Sequence, residues 1–305
     1  MGMSTKHGLY GVKLGAALLG GITGQNVALE NEITGEATSG EVYRRFLALY
    51  SQRVAPGFTT RAIAAALAAC GPLGTDLATS NLEFYAQKHA DGSTRASGAV
   101  HRKFLFDGGI LVPRMLNVAH RGDAELTYDA VIKAIGANDP VTITDNSTLP
   151  AGLVDTERYT LGPVKIGNVT LNQKMNLAID FGIEAVGESA DSDIWDTLVS
   201  IVASITRITL TGNDVAWLKS TNIPLTGKAA THANTIIYLR KRAHAATFVA
   251  DETEEHIKLT ADGMAIVDNP LDASGNAAAT TSLVLETRYD GTNAPLTVDT
   301  ASAIT

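Results

Sequence analysis

Two histidines sit at matching places in similar segments. His101 opens HRKFLFDG (101–108) and His256 opens HIKLTADG (256–263). An imidazole there could act as an acid–base group or a metal ligand. No carboxylate or cysteine recurs beside them, so both read as strand residues inherited by two related segments. The other histidines (His7, His89, His120, His232 and His244) form no HExxH and no close set with metal-ligand spacing. The single cysteine, Cys70, excludes an intrachain disulfide and a Cys-based zinc site. It ends a helix-forming run and reads as a small buried apolar residue, not a reactive thiol. No GxSxG elbow exposes a nucleophilic serine. GGITG (20–24) lacks the GK[ST] ending of a phosphate loop. RGD (121–123) reads as a polar turn, and the NST and NVT sequons come without a secretion signal. No catalytic residue, metal ligand or cofactor site is expected.

The elements that carry these residues come in two sets. GVKLG (11–15) returns as PVKIG (163–167), NVALENEI (26–33) as NLAIDFGI (176–183), and NLEFYAQKHA (81–90) as NTIIYLRKRA (234–243). HRKFLFDG returns as HIKLTADG, and GANDPVTIT (136–144) as GTNAPLTVD (291–299). The matches keep their order, at offsets of 152, 150, 153, 155 and 155 in a chain of 305 residues. A period of that length is a whole domain, not a solenoid unit. The expected organisation is a first β-domain over 1–150 and a second over 151–305, joined by NSTLPAGLVDTERYT (146–160). The repeat also settles the apolar N-terminus. GVKLGAALLGGITG has a mid-chain counterpart, so residues 8–24 read as a strand and a Gly-rich turn, not a signal peptide. No apolar run approaches the 18 residues of a membrane span.

Within each half the order of elements is the same. Residues 26–36 alternate, with Val27, Leu29 and Ile33 against Glu30, Glu32 and Glu36. The second copy sets Leu177, Ile179, Phe181 and Ile183 against Asp180, Glu184 and Glu188. Period two with one apolar face predicts a half-buried strand. The apolar runs 42–50 and 194–203 are expected as strands. A helix follows in TTRAIAAALAAC, capped by Thr59 or Thr60 and stopped by Gly71-Pro72. Its counterpart is TGNDVAWLKS. Short strands over 81–88, 100–106, 109–118, 124–133 and 140–144 have counterparts at 234–241, 255–260, 264–268, 282–289 and 295–299. The expected fold class is mostly β: two tandem antiparallel β-sandwich or barrel domains, each with one short α-helix.

Charge narrows the function. The chain has 32 acids and 24 bases, a net charge of −8. That argues against gripping nucleic acid, which takes Lys and Arg to replace counterions. An acidic wall still permits DNA to pass without sticking. The bases gather on two strands, Lys88 with Arg95, and Arg240, Lys241 and Arg242. They read either as solvated edges that prevent stray pairing or as ribbons meeting acids of a neighbouring subunit.

With one mid-domain helix (TTRAIAAALAAC, NDVAWLKS), long alternating first strands and a Gly/Thr/Ala-rich character, the chain resembles the tail tube (major tail) protein of long-tailed bacteriophages, in the version with a duplicated tube domain. The resemblance spans both halves and rests on architecture, not on a signature motif. It implies a structural virion protein. Three chains would form a pseudo-hexameric ring, and rings would stack into a tail tube conducting DNA. The partners implied are further copies of the chain, other tail proteins and head–tail connector proteins, with assembly in the host cytoplasm. No catalytic residues come with it. The acids Glu30, Glu32, Glu36, Asp180, Glu184 and Glu188 become candidates for the lumen, and the basic strands for contacts between subunits.

Two other readings stay open. A duplicated β-barrel capsid protein would use the same repeat to build a shell. A soluble carbohydrate- or ligand-binding sandwich would need exposed aromatic clusters. Aromatics make up only 6%, and Trp195 and Trp217 read more simply as core residues.

Overall fold

The computed structural model describes residues 5–37, 39–90, 100–136, 139–151, 157–167, 169–190, 193–214, 234–244, 248–268, 270–273, 278–289 and 291–305. The helix expected around 213–220 falls mostly outside them, as do Arg95 and Trp217. The fold is mostly β and antiparallel. The first half runs β1 (Thr5–Leu14), β2 (Ala17–Leu19), β3 (Ile22–Glu36), β4 (Phe46–Thr60), α1 (Ile63–Cys70), β5 (Thr75–Asp76), β6 (Leu82–Ala90), β7 (His101–Phe106), β8 (Gly109–Ala119), β9 (Glu125–Ile132) and β10 (Thr142–Ser147). The second half runs β11 (Arg158–Ile166), β12 (Val169–Leu171), β13 (Lys174–Asp180), β14 (Ile183–Glu188), β15 (Leu198–Ser204), β16 (Arg207–Gly212), β17 (Asn234–Arg242), β18 (His256–Asp262), β19 (Ala265–Asp268), β20 (Leu271–Asp272), β21 (Thr280–Glu286) and β22 (Leu296–Ser302).

Strand order recurs between the halves. One five-stranded sheet is ordered β10-β7-β6-β1-β2 and the other β22-β18-β17-β11-β12. Registers recur as well: Val12 faces Leu19 as Val164 faces Leu171. The third sheet has ten strands, eight along the path β19-β21-β16-β13-β8-β9-β4-β3, with β20 on β21 and β5 on β8. Its two four-strand blocks share register. Gln25 faces Phe58, which faces Tyr128; Leu177 faces Leu210, which faces Leu283. Even the irregularities repeat, between Ile22 and Gly24 and between Lys174 and Asn176.

The core lies between the five-stranded sheets and the ten-stranded one. Phe58 of β4 meets Phe84 of β6 edge-to-face at 6.0 Å and stacks on Tyr128 of β9 at 5.0 Å. Phe84 meets Phe106 of β7 at 5.5 Å. Each fully buried ring contributes about 1.5–3 kcal/mol from water exclusion alone. The alternation of β9, with Leu126, Tyr128, Ala130 and Ile132 buried, is the period-two pattern of a strand with one face on a core. Helix α1 buries Ile63, Ala66, Leu67 and Cys70. Its N-cap is Ala62, not a threonine; the Thr60 hydroxyl accepts the Ala62 N–H at 3.0 Å and donates to Gly20 O at 2.8 Å. Gly71 (φ 73°) ends the helix and donates to Leu67 O at 2.8 Å.

The hairpins β3–β4 and β13–β16 differ in one respect. β3 and β4 pair without a break in the chain from Ile22–Thr60 to Glu36–Phe46. In the second half the equivalent hairpin bends at Phe181-Gly182 and continues as a separate ribbon, β14–β15. Gly182 permits the bend: its φ is +58°, and a Cβ there would lie 1.8 Å from Ile205 O. The Asp180 carboxylate accepts the Gly182 N–H at 2.9 Å. The ribbon tip docks on the first half, where Gln52 N–H donates to Ile194 O, Ala134 N–H donates to Asp196 O, and Arg53 pairs with Asp196 at 3.0 Å. The expected strand over 42–50 begins only at Phe46, because 42–45 form the hairpin turn.

Candidate assembly interface

The ten-stranded sheet is continuous because β13 pairs with β8. Asn176, Leu177, Ala178, Ile179 and Asp180 face Ala119, Val118, Asn117, Leu116 and Met115. The ladder extends through His120 N–H to Met175 O at 2.7 Å and Phe181 N–H to Arg114 O at 3.0 Å. Arg114 also donates to Ile183 O and reaches Asp129 at 3.2 Å, bracing the seam where the chain bends. Leu177, Ile179, Leu116 and Val118 are all buried.

Blocks β19-β21-β16-β13 and β8-β9-β4-β3 have the same internal order, so the seam joins the last strand of one block to the first of the other. That leaves two unlike edges: β3 at one end, and β19 with β20 at the other. Position for position, β3 matches β13, and β20 matches the part of β8 at the seam. The strand registers align β3 with β13 at an offset of 152, two residues beyond the 150 of the sequence match, so Val27 and not Leu29 is the counterpart of buried Ile179; Val27 is 38% exposed, and Leu271, the counterpart of buried Leu116, is 44% exposed. Leu29 and Val267 on the same edges are also exposed. The apolar face of β3, expected to be half-buried, is therefore open from Val27 to Ile33, because among the described residues no strand lies outside it. An open edge with apolar side chains is a template for pairing.

Other expected residues fall as follows. Glu30, Glu32 and Glu36 are exposed on β3, and Asp180 is exposed on β13. Glu30 faces Arg53 and Asp180 faces Arg207, on the surface of the ten-stranded sheet opposite the core. Glu184 and Glu188 are exposed on the ribbon β14 instead, so the six acids divide between two sheets. That surface of the sheet is lined near the seam by Asn117, Asn176, Ala178, Thr209 and Thr211. Its arginines meet acids, Arg207 with Glu286 at 3.0 Å and Arg114 with Asp129.

On β17, Arg240 pairs with Asp251 at 2.7 Å, Lys241 with Glu157 and Glu255 at 3.0 Å each, and Arg242 with Asp123 at 3.4 Å. The acids they meet belong to this chain. The Lys88 side chain lies outside the described residues. His256 is buried; its Nδ1 accepts the Lys241 N–H at 3.0 Å and its Nε2 donates to Ala250 O at 3.0 Å. His101 is buried as well. Both ring nitrogens of His256 are thus used in holding backbone. Burial pushes the Cys70 thiol up to about 12, so the nucleophilic thiolate is suppressed. Trp195 packs against the core.

Among the described residues no cluster of three or more His, Cys, Asp or Glu is placed to hold a metal ion, and no helix is long and apolar enough to cross a membrane. No family model matches the chain, and no curated protein matches it in sequence. The seam was not legible in the sequence: alternation predicts the faces of β3 and β13 but not which strands become neighbours.

Proposed function

We propose that this chain is a structural subunit of a bacteriophage tail tube. The observation that carries the reading is the repeated four-strand block, joined head to tail inside one chain and ending in two unlike open edges. A contact between different surfaces propagates from copy to copy, and closes into a ring when the rotation per block divides a full turn. With two blocks per chain, three chains give a ring of six blocks, each a tube-like domain. Rings would stack through the outer β3–β4 hairpin, whose exposed Phe46, Leu47, Leu49 and Tyr50 suit contacts between copies. The polar surface of the ten-stranded sheet faces the bore, where acids and acid-paired arginines give DNA no strong binding site. The protein acts without catalysis or cofactor, in the virion tail, beside connector and other tail proteins.

Negative-stain microscopy of the purified protein tests this. Tubes with a regular ring repeat support it. Closed shells would select a capsid role, and dispersed monomers a soluble ligand-binding protein.

A further inference from the structure

The internal seam specifies more than the presence of a contact. We propose that the outer edge of β3 pairs antiparallel with β20 of a second copy of this chain, in the single register that sets Val27 opposite Leu271, Asn26 opposite Asp272 and Ala28 opposite Pro270. The proposal rests on the head-to-tail reading above and adds the register to it.

Three observations lead to this register. First, the seam itself supplies it. Ile179 faces Leu116 and Ala178 faces Asn117, and these positions correspond to Val27 with Leu271 and Asn26 with Asp272. The correspondence holds inside each block: Leu116 faces Leu126 and Asn117 faces Glu125, as Leu271 faces Thr281 and Asp272 faces Thr280.

Second, the faces agree. Val27 lies opposite buried Pro56, and Leu271 opposite buried Thr281, so both point to the core side of the sheet. A one-residue slip would set Val27 against Asp272 and turn one apolar row to the polar surface.

Third, the backbone of β20 is oriented as the register needs. At the seam, His120 N–H bonds Met175 O and Phe181 N–H bonds Arg114 O. Pairs therefore alternate so that Ile179–Leu116 exchanges hydrogen bonds and Ala178–Asn117 does not. The position of Leu271 calls for outward N–H and C=O groups, and that of Pro270 calls for none. The Pro270 carbonyl accepts the Ser282 N–H at 3.1 Å, so Pro270 turns its backbone inward to β21. The N–H that Pro270 lacks would point inward to β21, so the proline removes no donor from the outer edge.

The non-bonded pair Asn26 and Asp272 brings Cβ atoms closest, which suits a disulfide. The test is the double variant Asn26→Cys with Asp272→Cys, oxidised and run on a non-reducing gel, with the same sample viewed by microscopy. Native Cys70 is buried and does not compete. The expected result is a ladder of covalent multimers, absent from Glu30→Cys with Asp272→Cys and from each single variant. Dimers from Asn26→Cys alone would mean that β3 pairs with itself and would overturn the proposal. Tubes or rings that form without cross-linking of the double variant would overturn the register and leave the tube reading intact. Loss of all assembly in the double variant, with wild type forming tubes, would be resolved by Val27→Cys with Leu271→Cys. Failure of that pair to cross-link in assembled protein overturns the register too. Wild-type protein that stays monomeric overturns both readings.

Discussion

Ile179 of β13 lies directly opposite Leu116 of β8, and neither side chain exposes any surface. Both halves of the chain thus share one stretch of core at the seam. Truncating Ile179 to Ala removes three carbons from a site walled on both sides, at a cost of about 2–5 kcal/mol. Val27→Ala, at the equivalent open position, should cost well under ~1 kcal/mol in the isolated chain. Thermal melts of the monomer should separate the two variants clearly. Equal losses would mean that Val27 is already covered within the chain.

Gly182 marks the second difference between the hairpins. A side chain there would enter the left-handed region at a cost of about 1–2 kcal/mol. It would also run into Ile205 O. Gly182→Val should release the ribbon β14–β15 from Gln52, Arg53 and Ala134, exposing 183–204 to limited proteolysis. Glu30→Gly, at the matching position of the straight hairpin, should leave the digestion pattern unchanged. Protection of the ribbon in Gly182→Val would show that its tip contacts alone hold it.

Much of the fold was legible beforehand, and the reason is local. Alternation places Leu126, Tyr128 and Ile132 on one face of a strand whatever lies beside it, and Gly71 ends a helix by its own conformation. The tip of the first hairpin departs from the expected strand because Val42 and Tyr43 are apolar residues in a turn that none of the described residues covers. The apolar face of β3 was misread for a related reason: alternation says which side chains want burial, not whether the same chain supplies the cover. At the structural offset of 152 the acids Glu184 and Glu188 stand where β3 has Glu32 and Glu36, yet they leave the large sheet because Gly182 stands where β3 has Glu30. The basic run Arg240, Lys241 and Arg242 finds Asp251, Glu157, Glu255 and Asp123 from distant segments, which spacing alone does not reveal.

Cys70 and Tyr159 give a pH signature. Burial raises both groups, each to about 12, so the folded chain keeps protons that the unfolded chain releases at ordinary values near 9 and 10. Their contribution to stability is complete below pH 9 and is lost as pH rises towards 12. Denaturant midpoints should stay level from pH 7 to 9 with respect to these groups and then fall, the first part of the fall disappearing in Cys70→Ala. A thiol reagent should label Cys70 at pH 8 only after unfolding; rapid labelling of the native protein would contradict its burial.

The acids offer a test of the proposed bore. Glu30 and Asp180 lie on the surface of the ten-stranded sheet away from the core, and Glu32 and Glu36 continue along β3, whereas Glu184 and Glu188 sit on the ribbon. If the sheet forms the wall, Lys at positions 30, 32, 36 and 180 should create a lining that binds phosphate, with affinity falling steeply as salt rises because each neutralised phosphate releases a counterion. Ejection from a reconstituted particle should slow strongly, and the delay should shrink at high salt as screening shortens the reach of the added charge. Lys at 184 and 188 alone should have the smaller effect. An ejection rate unchanged by the four-site reversal would remove these residues from the bore, and a larger effect from the two ribbon sites would place the ribbon there in their stead.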